Sequence, residues 1–468
     1  MTIVWNANFY DSQKGEKNLL FIKIATYSRR NHLTPRLTAV LLSAALCLTA
    51  LLPLTSCSKK APITVWVYSE EYRQALENYL KNLPLKVGFK AQIRTINASD
   101  FKSELDKALA DGDGMPDVFM LSPDNIKSYV QSDLTADVTS LGLSPDEDHF
   151  FPYTLQAARD SNGVCKAVGW QADPGVFMYR RSMAKVYLGT DNPDEIQAMV
   201  KDWDTFYDTA RKVYQQSGGK TRMLAGPEDM MKPFLASDNS PWVVNGSLIL
   251  SNRKMDYVSY MGKLAQEHLI YHAEQWSEAW LRGISDSQSV FGYFSSGICM
   301  QYVMKQACGG VMKGDGSFGD WAVIPGPASY CWGGSWLAAW SGSQQKEAAG
   351  EFIGLFTACT QDEERLEQSI RYFRTTGEFA ASSEVVSRIR FDPQFEDSFI
   401  GGQNYYQQLA IAAADIDMSC LTVYDSTIES IFKSCMNEYA GGLKSSQQAI
   451  SDFKTSVKVA FPEMSTGG

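Results

Sequence analysis

Histidine is the scarcest chemistry-bearing side chain in this 468-residue sequence, with four in all and only His149, His268 and His272 beyond residue 56. No serine stands in a Gly-x-Ser-x-Gly elbow, and Gly334-Ser335 lacks the flanking glycine pattern. Nucleophilic catalysis by a serine–histidine pair therefore has little to draw on. No two cysteines are spaced Cys-x-x-Cys, which weakens metal and thiol-redox readings. His268 and His272 fall on one helical face, but without a third ligand at an informative spacing they read as surface histidines. Asp111-Gly-Asp-Gly114 begins like a calcium loop, yet Ser122 stands where the bidentate glutamate belongs, so the segment reads as a turn. A basic surplus is also missing. From Cys57 onward 37 basic residues face 51 acidic ones, a net charge of −14. Such a chain repels nucleic acid and anionic lipid, and no basic patch overturns that.

Only one long uncharged apolar run exists, and it lies near the start. After Arg29, Arg30 and Arg36 comes Leu37 to Leu54, with no charge until Lys59. Basic residues, an apolar run and small residues make a secretory signal. Its end, Leu54-Thr-Ser-Cys57, resembles a bacterial lipobox. That resemblance implies a signal peptide over 1–56, cleavage before Cys57, and lipidation of that cysteine, which would anchor the protein to the membrane. An uncleaved membrane span is the alternative, against which Pro53 and the small residues count. Ser28-Arg-Arg-Asn-His-Leu33 reads as a positive leader rather than a twin-arginine signal.

Beyond Cys57 more than 400 residues remain, too many for one core, so two lobes are expected. Ile63 to Tyr68 reads as a strand, Glu70 to Leu80 as a helix and Ala91 to Ile96 as a second strand. A helix capped by Ser99, with Phe101, Leu105 and Leu109 at four-residue spacing, precedes Asp117 to Leu121, a strand apolar enough to be covered on both faces. The alternation predicts a parallel, doubly wound sheet, with ligands beyond the carboxyl ends of its strands. Phe318 to Trp340, punctuated by Pro and Gly and carrying Trp332, Trp336 and Trp340, predicts a strand returning the chain from a second lobe into the first across a cleft. No long Gly/Ser linker separates the lobes, which favours a hinge.

Ala108 to Phe119 followed by Tyr129 to Leu134, then Lys166 to Tyr179, Asp202-Trp-Asp-Thr-Phe206, Phe291 to Met300, Trp332 to Trp340 and Lys346 to Ile353 stand in order. Together they resemble the family 1 extracellular solute-binding proteins, the receptors of ABC importers, over about Ile63 to Ala460. The resemblance implies an α/β periplasmic-binding-protein fold of two lobes, each a mixed, mostly parallel sheet flanked by helices. It places lobe 1 at 57–172 with a return at 331–380, lobe 2 at 173–330, and C-terminal helices at 381–468 mainly on lobe 2. It also implies an extracytoplasmic, lipid-anchored monomer without catalysis or cofactor, which passes a carbohydrate to a membrane permease. Ligand contacts then fall at Ser69, Glu70, Ser122, Asp124 and Asn125 in the first lobe, and at Gln171 and Asp173 on the crossover. Trp332, Gly334, Ser335 and Trp336 on the return, and Tyr302 and Tyr424 as aromatic platforms, complete the set.

Aromatic faces cover the C–H faces of a sugar ring while carboxylates and amides take its hydroxyls. Trp66 and Trp203 read as core; Trp242, Trp276 and Trp280 suit a longer cleft for an oligosaccharide. Two other functions stay open. One is a binder of a non-sugar solute or metal ion, since Tyr405-Tyr406 resembles the paired tyrosines of ferric-ion receptors. The other is a secreted glycan-active enzyme with paired carboxylates, for which no persuasive acid–base pair appears. Seven cysteines follow Cys57, leaving at least one unpaired in an exported chain; Cys420 and Cys435 are the pair expected first, and Cys359 reads as a small core residue.

Overall fold

The computed structural model describes residues 61–467 apart from 113 and 239; the leader and Cys57 lie outside the described residues. The chain starts with β1 (Ile63–Val67), α1 (Glu70–Asn82), β2 (Ala91–Thr95), α2 (Ala98–Asp111), β3 (Val118–Leu121) and the short α3 (Ile126–Val130). Local chemistry sets these boundaries. Ser69 caps α1 by accepting the Tyr72 amide at 3.4 Å, and Gly112, at φ 67°, ends α2 in the left-handed region. All four residues of β3 are buried, as a strand covered on both faces requires.

After β4 (Val168–Gln171) the chain crosses to β5 (Gly175–Arg180) and then runs through α4 (Trp203–Gln216), α5 (Met231–Leu235) and α6 (Asn252–Gln266). A reciprocal capping box between Asp202 and Thr205 starts α4. Next come β6 (Gly292–Ser296), α7 (Gly297–Cys299), which continues through a wide turn at Met300–Met304, and β7 (Trp321–Ile324). β8 (Ser335–Ala339) carries the chain back, and α8 (Lys346–Thr357), α9 (Glu363–Thr376), α10 (Tyr405–Ala414), α11 (Asp425–Ala440) and α12 (Ser446–Ala460) follow.

Two sheets result. The first has the order β2-β1-β3-β8-β4, with β1 parallel to β2 and β3, and β8 antiparallel between β3 and β4. The 331–340 segment thus does return the chain into the first sheet. The second sheet, β6-β5-β7, is antiparallel throughout. Its expected parallel share is reduced to single bridges at Arg222–Val290 and Leu224–Ile270, since β6 and β7 both run opposite to β5. There are two apolar cores, and the second sheet gives one face to each: Val176, Met178 and Val323 to the first, Phe177, Phe294 and Ile324 to the second. One gathers Val65, Trp66, Phe119, Trp170, Trp336 and Phe356 and extends to Tyr405 and Tyr406. The other gathers Phe177, Trp203, Phe206, Phe294, Tyr257 and Phe432, drawing in α11 and α12. The protein is a two-lobed α/β molecule, and Trp66 and Trp203 are core residues, as read.

Candidate functional site

The strand ends of the first sheet form one rim. Beyond β3, the Asn125 side chain accepts the Ser122 amide at 2.9 Å, closing a turn whose tip is Asp124. Asp124 is exposed and makes no hydrogen bond or ion pair among the described residues. Ser69, Ser122 and Asn125 lie on this rim, half-buried, with Ser69 Oγ used in a cap and Asn125 Oδ1 in a turn. Glu70 faces elsewhere: it pairs with Arg73 and accepts the Thr95 hydroxyl at 3.1 Å, beside the outer edge of β1 and β2. Arg73 in particular holds its carboxyl down to about 2.

The crossover lies below the rim. Asp173 adopts φ 42°, rare for a residue with a Cβ, and is 2% exposed. Its Oδ1 accepts the Ile298 amide at 3.1 Å, so a residue of the crossing strand caps the start of α7 in the second lobe. Burial raises its pKa to about 7, against the lowering effect of that amide. Gly334 sits at φ 114°, where an added Cβ would come within 2.5 Å of the Gln171 carbonyl; only glycine lets the two crossing strands meet. Gln171 accepts hydroxyls from Ser335 at 2.8 Å and Tyr72 at 3.1 Å. Close by, the fully buried Glu378 accepts Tyr302 at 2.8 Å and Tyr372 at 3.0 Å. Tyr302 follows α7 and Tyr372 belongs to α9, so this carboxylate joins two segments far apart in sequence; burial raises its pKa.

Above the crossover is a cleft with walls from both lobes. A cavity of about 430 Å³ is bounded by Asp124 of the first lobe, Lys232 of α5, Trp276, Trp332 and Glu429 of α11. A narrower extension of about 190 Å³ shares Asp124, Lys232 and Glu429 and reaches Trp242, Cys331 and Met418. Lys232 Nζ donates to the Trp332 carbonyl at 3.1 Å. Trp276, held at φ 70°, is 49% exposed; its ring leans on the buried Trp280 at 5.0 Å and stands edge-on to Trp332 at 6.5 Å. Trp242 Nε1 donates to Glu429 at 3.2 Å, and burial raises the Glu429 pKa against the pull of Lys232. At the outer end Lys433 pairs with the buried Glu228 at 3.5 Å. A larger groove of about 740 Å³ between α6 and α12 lies wholly on one lobe, so hinge closure would not enclose a solute there.

Asp124 and Trp332 thus line the cleft, and Asp173 lies beneath it, with Oδ2 3.1 Å from where a Cβ on Gly333 would stand. Gln171, Gly334, Ser335 and Tyr302 gather at the crossover, where most of their polar atoms are already partnered. Three expected contacts are corrected. Glu70 is engaged on the outer edge of the sheet. Trp336 is fully buried, with its Nε1 donated to the Thr154 carbonyl at 2.8 Å, which leaves no ring face for a ligand. Tyr424 packs edge-on against Phe461 at 5.2 Å in the second core, because it stands at the start of α11 facing α12 rather than the cleft. Among the wider set of tryptophans, Trp242 and Trp276 reach the cleft while Trp280 supports Trp276 from below.

Lys232, Glu429 and Glu228 are residues the sequence reading missed. Each is a single charged residue in a helix, with no motif around it. Tyr405 and Tyr406 donate to the Gly377 and Glu378 carbonyls and are buried, which leaves neither phenol for a metal ion. No disulfide joins Cys420 to Cys435, whose thiol is free. Cys435 sits ten residues into α11, roughly 15 Å along its axis from the end that Cys420 precedes.

The model of the bacterial extracellular solute-binding proteins matches residues 75–393. A solved family 1 extracellular solute-binding protein is 17% identical, with a TM-score of 0.74 over 86% of this chain and 99% of that chain. The ABC transporter associated binding protein from Bifidobacterium animalis subsp. lactis, in complex with β-1,6-galactobiose, is 20% identical, with a TM-score of 0.65 over 87% and 99% of the two chains. The sugar-binding protein MalE from Xanthomonas citri is 15% identical, with a TM-score of 0.68 over 85% and 97%. At these identities the structures share the fold with this chain. No curated protein matches it in sequence.

Proposed function

The chain belongs to the bacterial extracellular solute-binding proteins, and on that footing we propose that it is the substrate receptor of an ABC importer, taking a carbohydrate in the cleft between its lobes. The observation that carries this reading is the pairing of the exposed Trp276 ring and the half-buried Trp332 ring with Asp124, Lys232 and Glu429 around one cavity. The rings would cover apolar sugar faces, and the charged groups would bind hydroxyls at fixed angles. A solute touching both walls gains contacts only when the lobes close, so binding shifts the population toward the closed form. A membrane permease would then read that form.

In this reading the lipid carried by Cys57 tethers the receptor outside the cytoplasm as a monomer, and no chemistry is performed on the solute. Residues 57–172 and 331–380 would move as one lobe against 173–330, with α11 and α12 riding on the second. Titration calorimetry and thermal-shift screening against mono- and oligosaccharides test the proposal. At least one sugar should raise the melting temperature of the wild type and fail to do so for Trp332→Ala. A complete panel without a response, or a response that Trp332→Ala leaves intact, would remove the sugar reading.

A further inference from the structure

The cleft has a charge imbalance that the fold itself does not settle. Among the described residues, seven carboxylates and three lysines line its two connected cavities. Two of those lysines are committed. Lys254 Nζ donates to the Ser240 carbonyl at 3.0 Å beside Asp238, and Lys433 pairs with Glu228 at 3.5 Å. Only Lys232 is left to face Asp124 and Glu429, and its ammonium is hydrogen-bonded to a neutral carbonyl. Asp124 has no partner among the described residues, while Glu429 accepts a single bond, from Trp242 Nε1 at 3.2 Å. No arginine lines either cavity.

Closure over a solute would take water from both carboxylates with one lysine between them. Charges removed from water need an opposite charge or a proton; burial already raises the Glu429 pKa, and a cationic group on the solute would supply the charge in place of that proton. Trp276 and Trp332, set at 82° to each other, line the same cavity, and a cation over a ring face is favoured by the ring quadrupole. An acidic sugar would meet like charge and no guanidinium fork.

Resting on the reading of this cleft as a sugar site, we infer that its solute is a carbohydrate bearing a protonated amine, and that Asp124 and Glu429 select it over neutral and acidic sugars. Calorimetry on the intact protein with matched pairs tests this: glucosamine with glucose, galactosamine with galactose, and chitobiose with cellobiose, plus spermidine as an amine without a ring. In at least one pair the amine should bind about tenfold or more tighter than its hydroxyl twin at low salt. That gap should shrink in about 0.5 M NaCl. It should also close in Glu429→Gln and in Asp124→Asn; the latter changes an exposed side chain and so keeps the test independent of folding. Neutral twins binding as well as or better than the amines would overturn the inference and leave the sugar reading in place. Spermidine binding without any sugar would overturn it as well, and silence from every probe would take both readings down.

Discussion

The two levels of the interlobe gap are built in opposite ways. At the crossover, Gln171, Asp173, Ser335 and Glu378 are at most 2% exposed and held mainly by protein partners: hydroxyls from Tyr72, Ser335, Tyr302 and Tyr372, and the amide of Ile298. At the cleft, Asp124, Lys232 and Trp276 are exposed; Asp124 has no hydrogen bond or ion pair among the described residues, and Lys232 and Glu429 have one hydrogen bond each. Buried polar groups must be satisfied at once and lock a geometry. Groups left facing water keep capacity for something that arrives later. The lower level is therefore built to hold one geometry, and the upper level keeps groups open to water, as the proposed receptor role requires.

The sharpest way to break this contrast is at Trp336, which the sequence pattern placed with the ligand and the fold places in the core. Trp336→Ala should cost about 3–5 kcal/mol of unfolding free energy, read by denaturant titration of the ligand-free protein. A loss below about 1 kcal/mol would mean that the ring is not core.

Asp173 comes next and is read through pH. Its folded pKa, about 7, lies above the ordinary 3.8, so the native state keeps a proton that the unfolded chain releases. Stability is therefore lost as pH rises from about 4 to about 7 and is flat above that. The slope is at most about 1.4 kcal/mol per pH unit for one group. Asp229, raised to about 7 by its own burial, adds a slope of the same sign. Asp173→Asn keeps an acceptor for the Ile298 amide and should therefore gain on the wild type steadily across that window. A difference curve without slope would show that Asp173 ionises normally and that the crossover is wetter than its burial implies.

A smaller effect is expected at Tyr302, the phenol that reaches from beyond α7 to Glu378. Tyr302→Phe removes one of two tyrosine donors from a fully buried carboxylate and should cost about 1–3 kcal/mol, read by thermal and denaturant unfolding. On the lobe bounds proposed above the lost bond joins the lobes, so small-angle scattering of the ligand-free variant should also show a larger radius of gyration. Lost stability with unchanged dimensions would make the bond a strut within one lobe rather than a tie between two.

The fold was legible because its signals are local and repeated. Continuous apolarity in Val118–Leu121, the Asp202–Thr205 capping box and the glycine at 334 each state a backbone fact that neighbouring residues cannot hide. The second sheet was less legible: strand direction depends on connections, and the long helical excursions after β5 carry no sign of whether the chain returns parallel or antiparallel. The site was legible only where a motif crosses the hinge. Asp124, Asp173 and Trp332 drew notice because they stand beside strand ends, whereas Lys232 and Glu429 come from helices far apart in sequence and meet only after folding. Glu70 misled for a related reason. It follows a strand end, but as the first residue of α1 it turns to Arg73 one turn on instead of to the rim.

The weakest expected effect on stability is the most informative for function. Trp276 is about half exposed, stands at a left-handed φ, and touches the protein chiefly through Trp280 beneath it and the edge of Trp332. Exposed substitutions of this kind usually change stability by no more than about 0.5 kcal/mol, and easing the unfavourable backbone conformation would offset part of the lost contact. Trp276→Gly removes the ring and relaxes that strain together, so its melting temperature should stay close to that of the wild type. Binding of any sugar found in the screen should nevertheless weaken by tenfold or more, since an aromatic face on the solute is worth roughly 1–2 kcal/mol. A variant that keeps both its stability and its affinity would show that the exposed ring serves neither level of the gap. The cleft would then have to be redrawn around Trp332 and Trp242, toward the narrower cavity.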